Sequence, residues 1–330
     1  MEATNIYNLL KCKSTLVPFS NISEFENLVL PSNYTSSIVN NNSEHLWLTY
    51  FCLFVGIASF VSNLGIVRVS LFRTLWVRPF SKFCITTAIC DIIYTISICL
   101  MLSFPNILSF HEDLIPYLYC VGSWAHSCST YLTLLLVYDK VCQIIRPKAE
   151  LLTADVSDII RDSALVILAM LGINVPRLFW EFEAQKNCKI NDDENDTNRI
   201  KIYWYNFMYG GLVEGIFPIF FLFFTIAFFA LKKISSRLRL RRMEMYRSPG
   251  GRRTHLNLVM AIEICVLISE LGAFVPFAIY ISGGDTAFFE IAYYASVLIT
   301  LSICFSKIFV YTYWGSYFSS AFNSVFHKTI

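Results

Sequence analysis

Residues 117–147 read YLYCVGSWAHSCSTYLTLLLVYDKVCQIIRP, a long apolar stretch with a polar interruption. Between Ser123 and Thr130 the apolar run contains serine, threonine and histidine side chains. A helix in lipid carries such residues on the face that packs against other helices, because polar groups in hydrocarbon need protein partners. The stretch closes with the acid–base pair Asp139-Lys140 and then Arg146-Pro147. We therefore expect a membrane-spanning helix that packs among several others.

The composition of the whole chain points to the same solvent. Of the 330 residues, 55% are hydrophobic and only 15% are charged, and the mean hydropathy is +0.54. A soluble domain carries about 25% charged residues. The sequence therefore predicts an all-α membrane protein, because backbone amides in lipid must be satisfied within their own helix. The net charge of +2 gives no indication of nucleic-acid binding.

Seven segments are long and apolar enough to be membrane spans, for which about 20 residues are needed. We predict a seven-transmembrane helix bundle with spans at about Trp47–Phe72, Phe80–Leu102, Leu118–Ile145, Ser163–Trp180, Ile202–Ile234, Leu256–Ile281 and Phe288–Trp314.

A short amphipathic eighth helix is expected after the last span. Tyr317, Phe318, Phe322 and Phe326 recur there at helical spacing, which favours a helix on the inner leaflet in contact with membrane lipid. The chain then divides into an N-terminal tail (1–45), a seven-transmembrane domain (46–314) and a final segment with the eighth helix and a short cytoplasmic tail (315–330).

Lysine and arginine in the loops predict the orientation, because loops rich in them stay in the cytoplasm. Nine of them lie between spans five and six against the single acid Glu244: Lys232, Lys233, Arg237, Arg239, Arg241, Arg242, Arg247, Arg252 and Arg253. The N-terminus is therefore expected outside. The basic set either acts only as this topology signal or also forms a docking surface for an acidic partner.

The N-terminal tail is polar and carries glycosylation sequons at Asn21, Asn33 and Asn41, and a fourth lies at Asn195 in an acidic loop. These sequons favour an extracellular N-terminus on a glycoprotein of the plasma membrane. The chain does not open with a signal-peptide pattern, so we expect the first span to direct insertion.

Catalytic and metal-binding motifs do not occur in the sequence. It contains no Gly-x-Ser-x-Gly, His-Glu-x-x-His or P-loop pattern, and its cysteines lack the spacing of a zinc site. We expect no enzyme, no metal and no cofactor. A transporter with broken helices in two related halves is not indicated either, because no internal repeat is visible.

Several short motifs resemble those of rhodopsin-like G-protein-coupled receptors. They are Ser62-Asn63 in span one, residues 88–91 in span two, Asp139-Lys140 followed by Pro147 at the foot of span three, and Pro218 in span five. The resemblance covers about residues 46–326. It implies coupling to a heterotrimeric G protein through Asp139, Lys140 and Arg146, and a polar core network that contains Asn63, Asp91, Lys307 and Tyr311.

A narrower resemblance concerns residues 174–181, NVPRLFWE, at the end of span four. They are similar to the Asn-x-Pro-Arg-Phe-Phe-Glu signature of invertebrate FMRFamide-type and myosuppressin-type neuropeptide receptors, and Glu270-Leu271 resembles their span-six motif. The resemblance implies an extracellular ligand that is a short amidated peptide, commonly ending in Arg-Phe-amide.

An arginine on such a ligand needs a carboxylate in the receptor. The candidate ligand-binding residues are Glu214, Glu290, Glu270, Tyr131, Phe274 and Tyr294. Glu214 and Glu290 are favoured for ligand contact, whereas Glu270 has the alternative role of an interhelical hydrogen bond. Each aromatic residue has the alternative of ordinary packing in the bundle.

Two departures from the family concern lysines. Lys140 stands where the family has an arginine, and lysine cannot offer the planar fork of a guanidinium. Lys307-Ile308 stands where the family has Asn-Pro. A buried lysine is costly unless it is paired, and Asp91 in span two is its expected partner. We predict a Lys307–Asp91 ion pair in place of the family's hydrated network.

The resemblance also implies a disulfide between the top of span three and the loop after span four, which would join Cys120 to Cys188. Cys12 in the N-terminal tail remains an alternative partner for Cys188. The other cysteines lie in or near spans, where a thiol behaves as a small apolar group.

Two alternative functions follow from the same residues. The first is a divergent chemosensory receptor for a small molecule on the same fold. The second is a non-signalling seven-span scaffold, which Lys140 and Lys307-Ile308 would favour. A requirement for pocket acids in the response to a cationic peptide would distinguish the peptide receptor from the chemosensory one.

Overall fold

The computed structural model describes residues 46–72, 79–107, 115–145, 156–188, 206–242, 250–281 and 286–326. Nearly all of these residues are helical, and no β-strand occurs among them. The all-α prediction is confirmed for this part of the chain. The helices are α1 (Leu46–Ser70), α2 (Pro79–Ile107), α3 (Ile115–Ile145), α4 (Val156–Cys188), α5 (Phe217–Arg242), α6 (Gly250–Ile281), α7 (Thr286–Trp314) and α8 (Ser316–Phe326).

Five helices are long and apolar enough to cross a membrane. Their apolar windows are Trp47–Ser70, Phe80–Ser103, Gly211–Ser235, Leu256–Ile279 and Ile291–Trp314. These are α1, α2, α5 with the turns that precede it, α6 and α7. The chain is therefore built like a multi-pass membrane protein.

Within the described residues, α3 and α4 do not contain such an apolar window, although they are 31 and 33 residues long. The bundle buries a set of serines and threonines of α3: Ser127, Ser129, Thr130 and Thr133. Polar residues that meet protein rather than lipid lower the hydropathy of a helix without preventing it from lying in a membrane. The count of seven spans stays a prediction.

The helices pack in a closed ring. α1 packs against α2 and α7, α2 packs against α3, α3 packs against α5 and α6, and α6 packs against α5 and α7. α4 lies outside the ring against α2 and α3, and α8 packs against α7 and α1. We call the end at which α1, α3 and α7 begin the upper end. α3 thus packs against four other helices: α2, α4, α5 and α6.

Large apolar side chains lie on the outside of the bundle, and several polar side chains are buried within it. Phe54, Phe224 and Tyr313 are 69%, 66% and 81% exposed, whereas Asn63 and Asp91 are 0% and 2% exposed. Apolar outward faces suit contact with lipid tails, which are as apolar as the side chains themselves. Packing and interior polar contacts, rather than the hydrophobic effect, must then hold the helices together.

A π-helical segment, Asn206–Ile216, runs directly into α5. Such turns are rare and occur mostly at functional sites. Pro218 follows at the start of α5 and has no N–H to donate to the preceding turn. The carbonyl of Val213 in that turn instead accepts a hydrogen bond from the Tyr131 hydroxyl at 2.7 Å. The side chain of Tyr131 on α3 thus helps to stabilise this irregular turn.

Two leucines on α5 provide a test of the packing. Leu222 is 0% exposed and Leu231 is 67% exposed. We expect Leu222→Ala to lower the free energy of unfolding by roughly 2 kcal/mol, because the lost contacts leave a cavity. Leu231→Ala is the matched control, since lipid or detergent replaces what is removed. Thermal unfolding of the purified protein measures both, and equal losses would contradict the described packing.

Candidate functional site

Two buried polar centres meet at α3. The upper polar centre contains His126, Glu214 and Glu270 with their hydroxyl partners, and the lower polar centre contains Asp91, Ser129 and Lys307. Both lie inside the ring of helices. Ionisable groups in such positions are costly and are usually functional.

The upper polar centre faces a cavity of about 170 Å³. Its polar lining consists of side chains from α3, the π-helical segment, α6 and α7: Ser123, His126, Ser127, Glu214, Glu270 and Ser296. Its aromatic lining comes from Tyr94, Tyr119, Phe274, Phe277 and Tyr293. Aromatic walls with a few convergent polar groups are typical of ligand sites.

Glu214 reaches the cavity from the π-helical segment. The Ser127 hydroxyl donates to Glu214 Oε1 at 2.8 Å, and the Ser123 hydroxyl lies at a longer 3.4 Å from the same oxygen. These two serines are four residues apart on α3 and therefore share one face of that helix. Their hydroxyl groups orient the carboxylate without neutralising its charge.

Glu270 reaches the cavity from α6, and its side chain is 3% exposed. The Thr130 hydroxyl donates to Glu270 Oε1 at 2.5 Å. His126 Nε2 lies 3.1 Å from the same oxygen, but the alignment is not that of a hydrogen bond. The contact is an ion pair whenever the imidazole is protonated. Glu270 therefore bridges α6 to α3 and also lines the cavity. Its contact with a ligand stays a prediction.

His126 is held from a second side as well. Its ring lies 5.3 Å from the ring of Tyr94, in a tilted arrangement. The side chain is 23% exposed and lines the cavity. The imidazole is therefore placed between an aromatic wall and the Glu270 carboxyl.

The lower polar centre is a closed triangle across three helices. Lys307 Nζ of α7 donates to Asp91 Oδ2 of α2 at 2.5 Å and to Ser129 Oγ of α3 at 3.1 Å. The Ser129 hydroxyl in turn donates to Asp91 Oδ1 at 2.7 Å. The ion pair predicted from the sequence is present, with side chains 6% and 3% exposed. Sequence reasoning missed Ser129 as the third member.

Such a pair is expensive to bury unless further hydrogen bonds satisfy it. Ser129 supplies them, because one hydroxyl accepts from the ammonium and donates to the second carboxylate oxygen. Asn63 lies beside this centre, and its amide donates to the carbonyls of Ser59 at 3.0 Å and of Cys304 on α7 at 3.4 Å. α1 is thereby joined to α7 through a backbone contact.

Tyr311, the fourth residue of the predicted polar core network, is buried at the lower end of α7. Its ring lies 6.0 Å from that of Phe80 in an edge-on arrangement and 5.6 Å from that of Phe318 on α8. It links α2, α7 and α8 by aromatic packing.

The structure brings together three of the predicted ligand-binding residues, Glu214, Glu270 and Phe274, around the cavity. Tyr131 and Tyr294 are also described but do not line it. The Tyr131 hydroxyl bonds to Val213, and Tyr294 is buried where its hydroxyl accepts from Thr49 of α1 at 3.4 Å. Tyr293 lines the cavity in place of its sequence neighbour.

The remaining predicted site residues are not tested by the structure. The side chains of Asp139, Lys140, Cys188 and Glu290 lie outside the described part of the chain, as do residues Asn21, Asn33, Asn41, Arg146 and Asn195 in full. Cys120 is buried near the start of α3. Its pairing with Cys188 stays a prediction.

No protein-family model matches the chain, and a search of the curated proteins finds no match.

The lower polar centre allows a test by substitution. Lys307→Met leaves the buried Asp91 carboxylate without its cation, and we expect a loss of about 3–5 kcal/mol in the free energy of unfolding. The double variant Lys307→Met with Asp91→Leu should recover most of this loss, because an apolar pair of similar volume carries no buried charge. Thermal unfolding of the purified protein is the measurement.

Lys232→Met is the matched control, since Lys232 is exposed on α5. If the double variant were no more stable than Lys307→Met alone, the ion pair would not be the source of the loss.

Proposed function

We propose that this chain is a seven-transmembrane G-protein-coupled receptor of the plasma membrane that binds an extracellular cationic ligand in the upper cavity. The best candidate ligand is a short amidated peptide of the FMRFamide-like type. The observation that carries the proposal is the pair of carboxyl groups, Glu214 and Glu270, that line an aromatic cavity inside a closed ring of helices. The receptor would signal through heterotrimeric G proteins.

The proposed architecture counts α3 and α4 as the two remaining spans. They contain 31 and 33 residues, more than the roughly 20 that a span needs. The bundle buries four serines and threonines of α3: Ser127, Ser129, Thr130 and Thr133. With α4 covering α2 and α3, seven spans place the N-terminus outside and the basic segment between α5 and α6 in the cytoplasm.

α8 is proposed as the amphipathic helix on the inner leaflet. Phe318 and Ala321 are buried against the bundle, whereas Tyr317 is 49% exposed. The guanidinium of Arg68, at the lower end of α1, lies 5.6 Å from the ring centre of Phe326. A cation over an aromatic face is an attractive contact, and it supports a fixed position of α8 beside α1.

The size of the cavity limits what enters it. At about 170 Å³ it is smaller than the roughly 300 Å³ at which pockets for drug-sized ligands begin. A peptide would therefore insert one terminal side chain and leave its remainder at the upper end of the bundle. A guanidinium is well suited, because its planar fork bonds to carboxylates in two places and its flat face stacks on aromatic rings.

Signalling is proposed to run along α3 to the lower end. A ligand shifts the balance of two conformations only by its difference in affinity for them. Glu214 lies on the π-helical segment that leads into α5, and Glu270 lies on α6 itself. A cation bound between the two carboxyl groups would therefore affect the positions of both helices. At the lower ends Lys233 of α5 donates to Asn257 of α6 at 2.8 Å. Separation of these ends would open a crevice for a G protein beside Asp139, Lys140 and Arg146.

A small-molecule chemosensory receptor is the second candidate function. The observation that favours it is the volume of the cavity, which suits a small amine in its entirety. The acids and aromatic walls would serve an amine as well as a peptide.

Neutralising the acids tests the ligand class. We expect Glu214→Gln to lower the potency of an Arg-Phe-amide peptide by roughly 10- to 100-fold, because a hydrogen bond to a charged group is lost. A peptide with neutral citrulline in place of arginine should have the same potency on the unmodified receptor and on Glu214→Gln. The measurement is G-protein activation in cells with confirmed surface expression.

Asp162→Asn is the matched control for this experiment. Asp162 is an acid of α4 that is bonded only to exposed Arg161 among its described contacts. Equal potency of both peptides on the unmodified receptor would contradict a cation site. A response to small amines but to no peptide would favour the chemosensory function.

The two lysine departures are tested by reversion. We expect the unmodified chain to respond to a peptide, and Lys140→Arg to increase the response because arginine offers the planar fork. The variant Lys307→Asn with Ile308→Pro restores the family's pattern in α7. If only the reverted receptors respond, the cavity is functional and the coupling motifs are degenerate, as in a non-signalling scaffold.

A further inference from the structure

Glu263 is a buried acid that neither polar centre uses. It lies on α6, seven residues before Glu270, so the two share a face and are about 10 Å apart along the axis. Glu263 is 0% exposed. Both of its carboxyl oxygens lack a hydrogen-bond partner within the described part of the chain. Buried polar groups are almost always hydrogen-bonded, so this acid needs an explanation.

The hydroxyl group of Thr225 lies near Glu263. Thr225 of α5 faces the carboxyl group but lies outside hydrogen-bonding geometry. The single proton of the Thr225 hydroxyl is directed at the carbonyls of Phe221 and Leu222, at 2.9 and 3.0 Å. While the hydroxyl donates to these carbonyls, a hydrogen bond between the two groups has Thr225 as the acceptor. A donor is needed on the Glu263 side, and only the protonated acid has one.

No described cation offers Glu263 a charge. Among the elements packed against α6, Lys233 of α5 bonds to Asn257 and Lys307 of α7 bonds to Asp91. Lys232 of α5 is exposed, and the ionisable groups of the upper polar centre are two acids and His126, which lies beside Glu270. The side chains of other charged residues on α3 and α5 are outside the described part of the chain: Asp139, Lys140, Arg237, Arg239, Arg241 and Arg242.

We propose that Glu263 is a proton-binding site in the interface between α5 and α6. An ionised carboxylate without partner or water is among the most costly groups to bury, whereas the neutral acid costs far less. The site is occupied while the interface is closed.

Release of the proton rests on the proposed function, because it requires α5 and α6 to separate. Separation admits water to Glu263, and the carboxylic acid then gives its proton to a water molecule and becomes a solvated carboxylate. The closed state thus holds one more proton than the open state. A higher cytosolic pH favours the open state, by up to about tenfold per pH unit for one proton.

Infrared spectroscopy of the full chain in lipid nanodiscs tests the resting state. We expect a carbonyl stretch of a protonated carboxylic acid near neutral pH that disappears in Glu263→Gln. Asp162→Asn, which removes an exposed acid, should leave this band unchanged. Absence of any difference between the unmodified protein and Glu263→Gln would overturn the proposal. If Glu263→Gln does not fold, Glu263→Leu serves as the variant instead, because leucine fills the site without an ionisable group.

The release step is tested by G-protein activation in nanodiscs at several values of cytosolic-side pH. We expect activation to rise with pH in the unmodified receptor and the slope to fall by about one proton in Glu263→Gln. An unchanged slope would overturn proton release. The infrared band does not depend on coupling to a G protein. If the chain proves not to be a receptor, the band still shows whether Glu263 holds a proton.

Discussion

The structure depends on the contact of Lys307 with Asp91 and Ser129. A charge inside a helix bundle is tolerated only with close partners, and this ammonium finds two within 3.1 Å on two other helices. Each member of the triangle hydrogen-bonds to the other two. These bonds fix both the distance between α2, α3 and α7 and their relative positions along the helix axes. Where lipid removes the hydrophobic effect between helices, such contacts and close packing have to provide the specificity.

The need of buried polar groups for close partners also determines the arrangement at the upper end of the bundle. Three residues of α3 bind three different acids: Ser127 bonds to Glu214, Ser129 to Asp91 and Thr130 to Glu270. Successive positions on a helix point in different directions, so one polar run can serve the π-helical segment, α2 and α6. In the proposed receptor, α3 would be the element through which a ligand in the cavity influences the lower end of the bundle.

Much of the fold and part of the candidate site were predictable from the sequence. Seven apolar segments follow from hydropathy. The partner of Lys307 and two of the cavity acids were predicted from the cost of a buried charge together with the resemblance to a receptor family. The structure describes helices in all seven segments, and within the described residues five of them contain an apolar window long enough for a span. Sequence reasoning chose Tyr294 where Tyr293 lines the cavity, because adjacent residues on a helix differ by about 100° in direction and the rotation of α7 is set by its neighbours.

The sequence by itself determined the solvent and the class of element, because hydropathy and backbone satisfaction in lipid depend on local composition alone. It also determined that Lys307 and the intramembrane acids need partners. Only the tertiary structure decided which partners they have among the described residues: Ser129 completes the triangle, Thr130 bonds to Glu270, and Glu263 is buried without a hydrogen-bond partner. Those outcomes depend on how helices rotate and slide against one another, and that is settled by the packing of the whole ring.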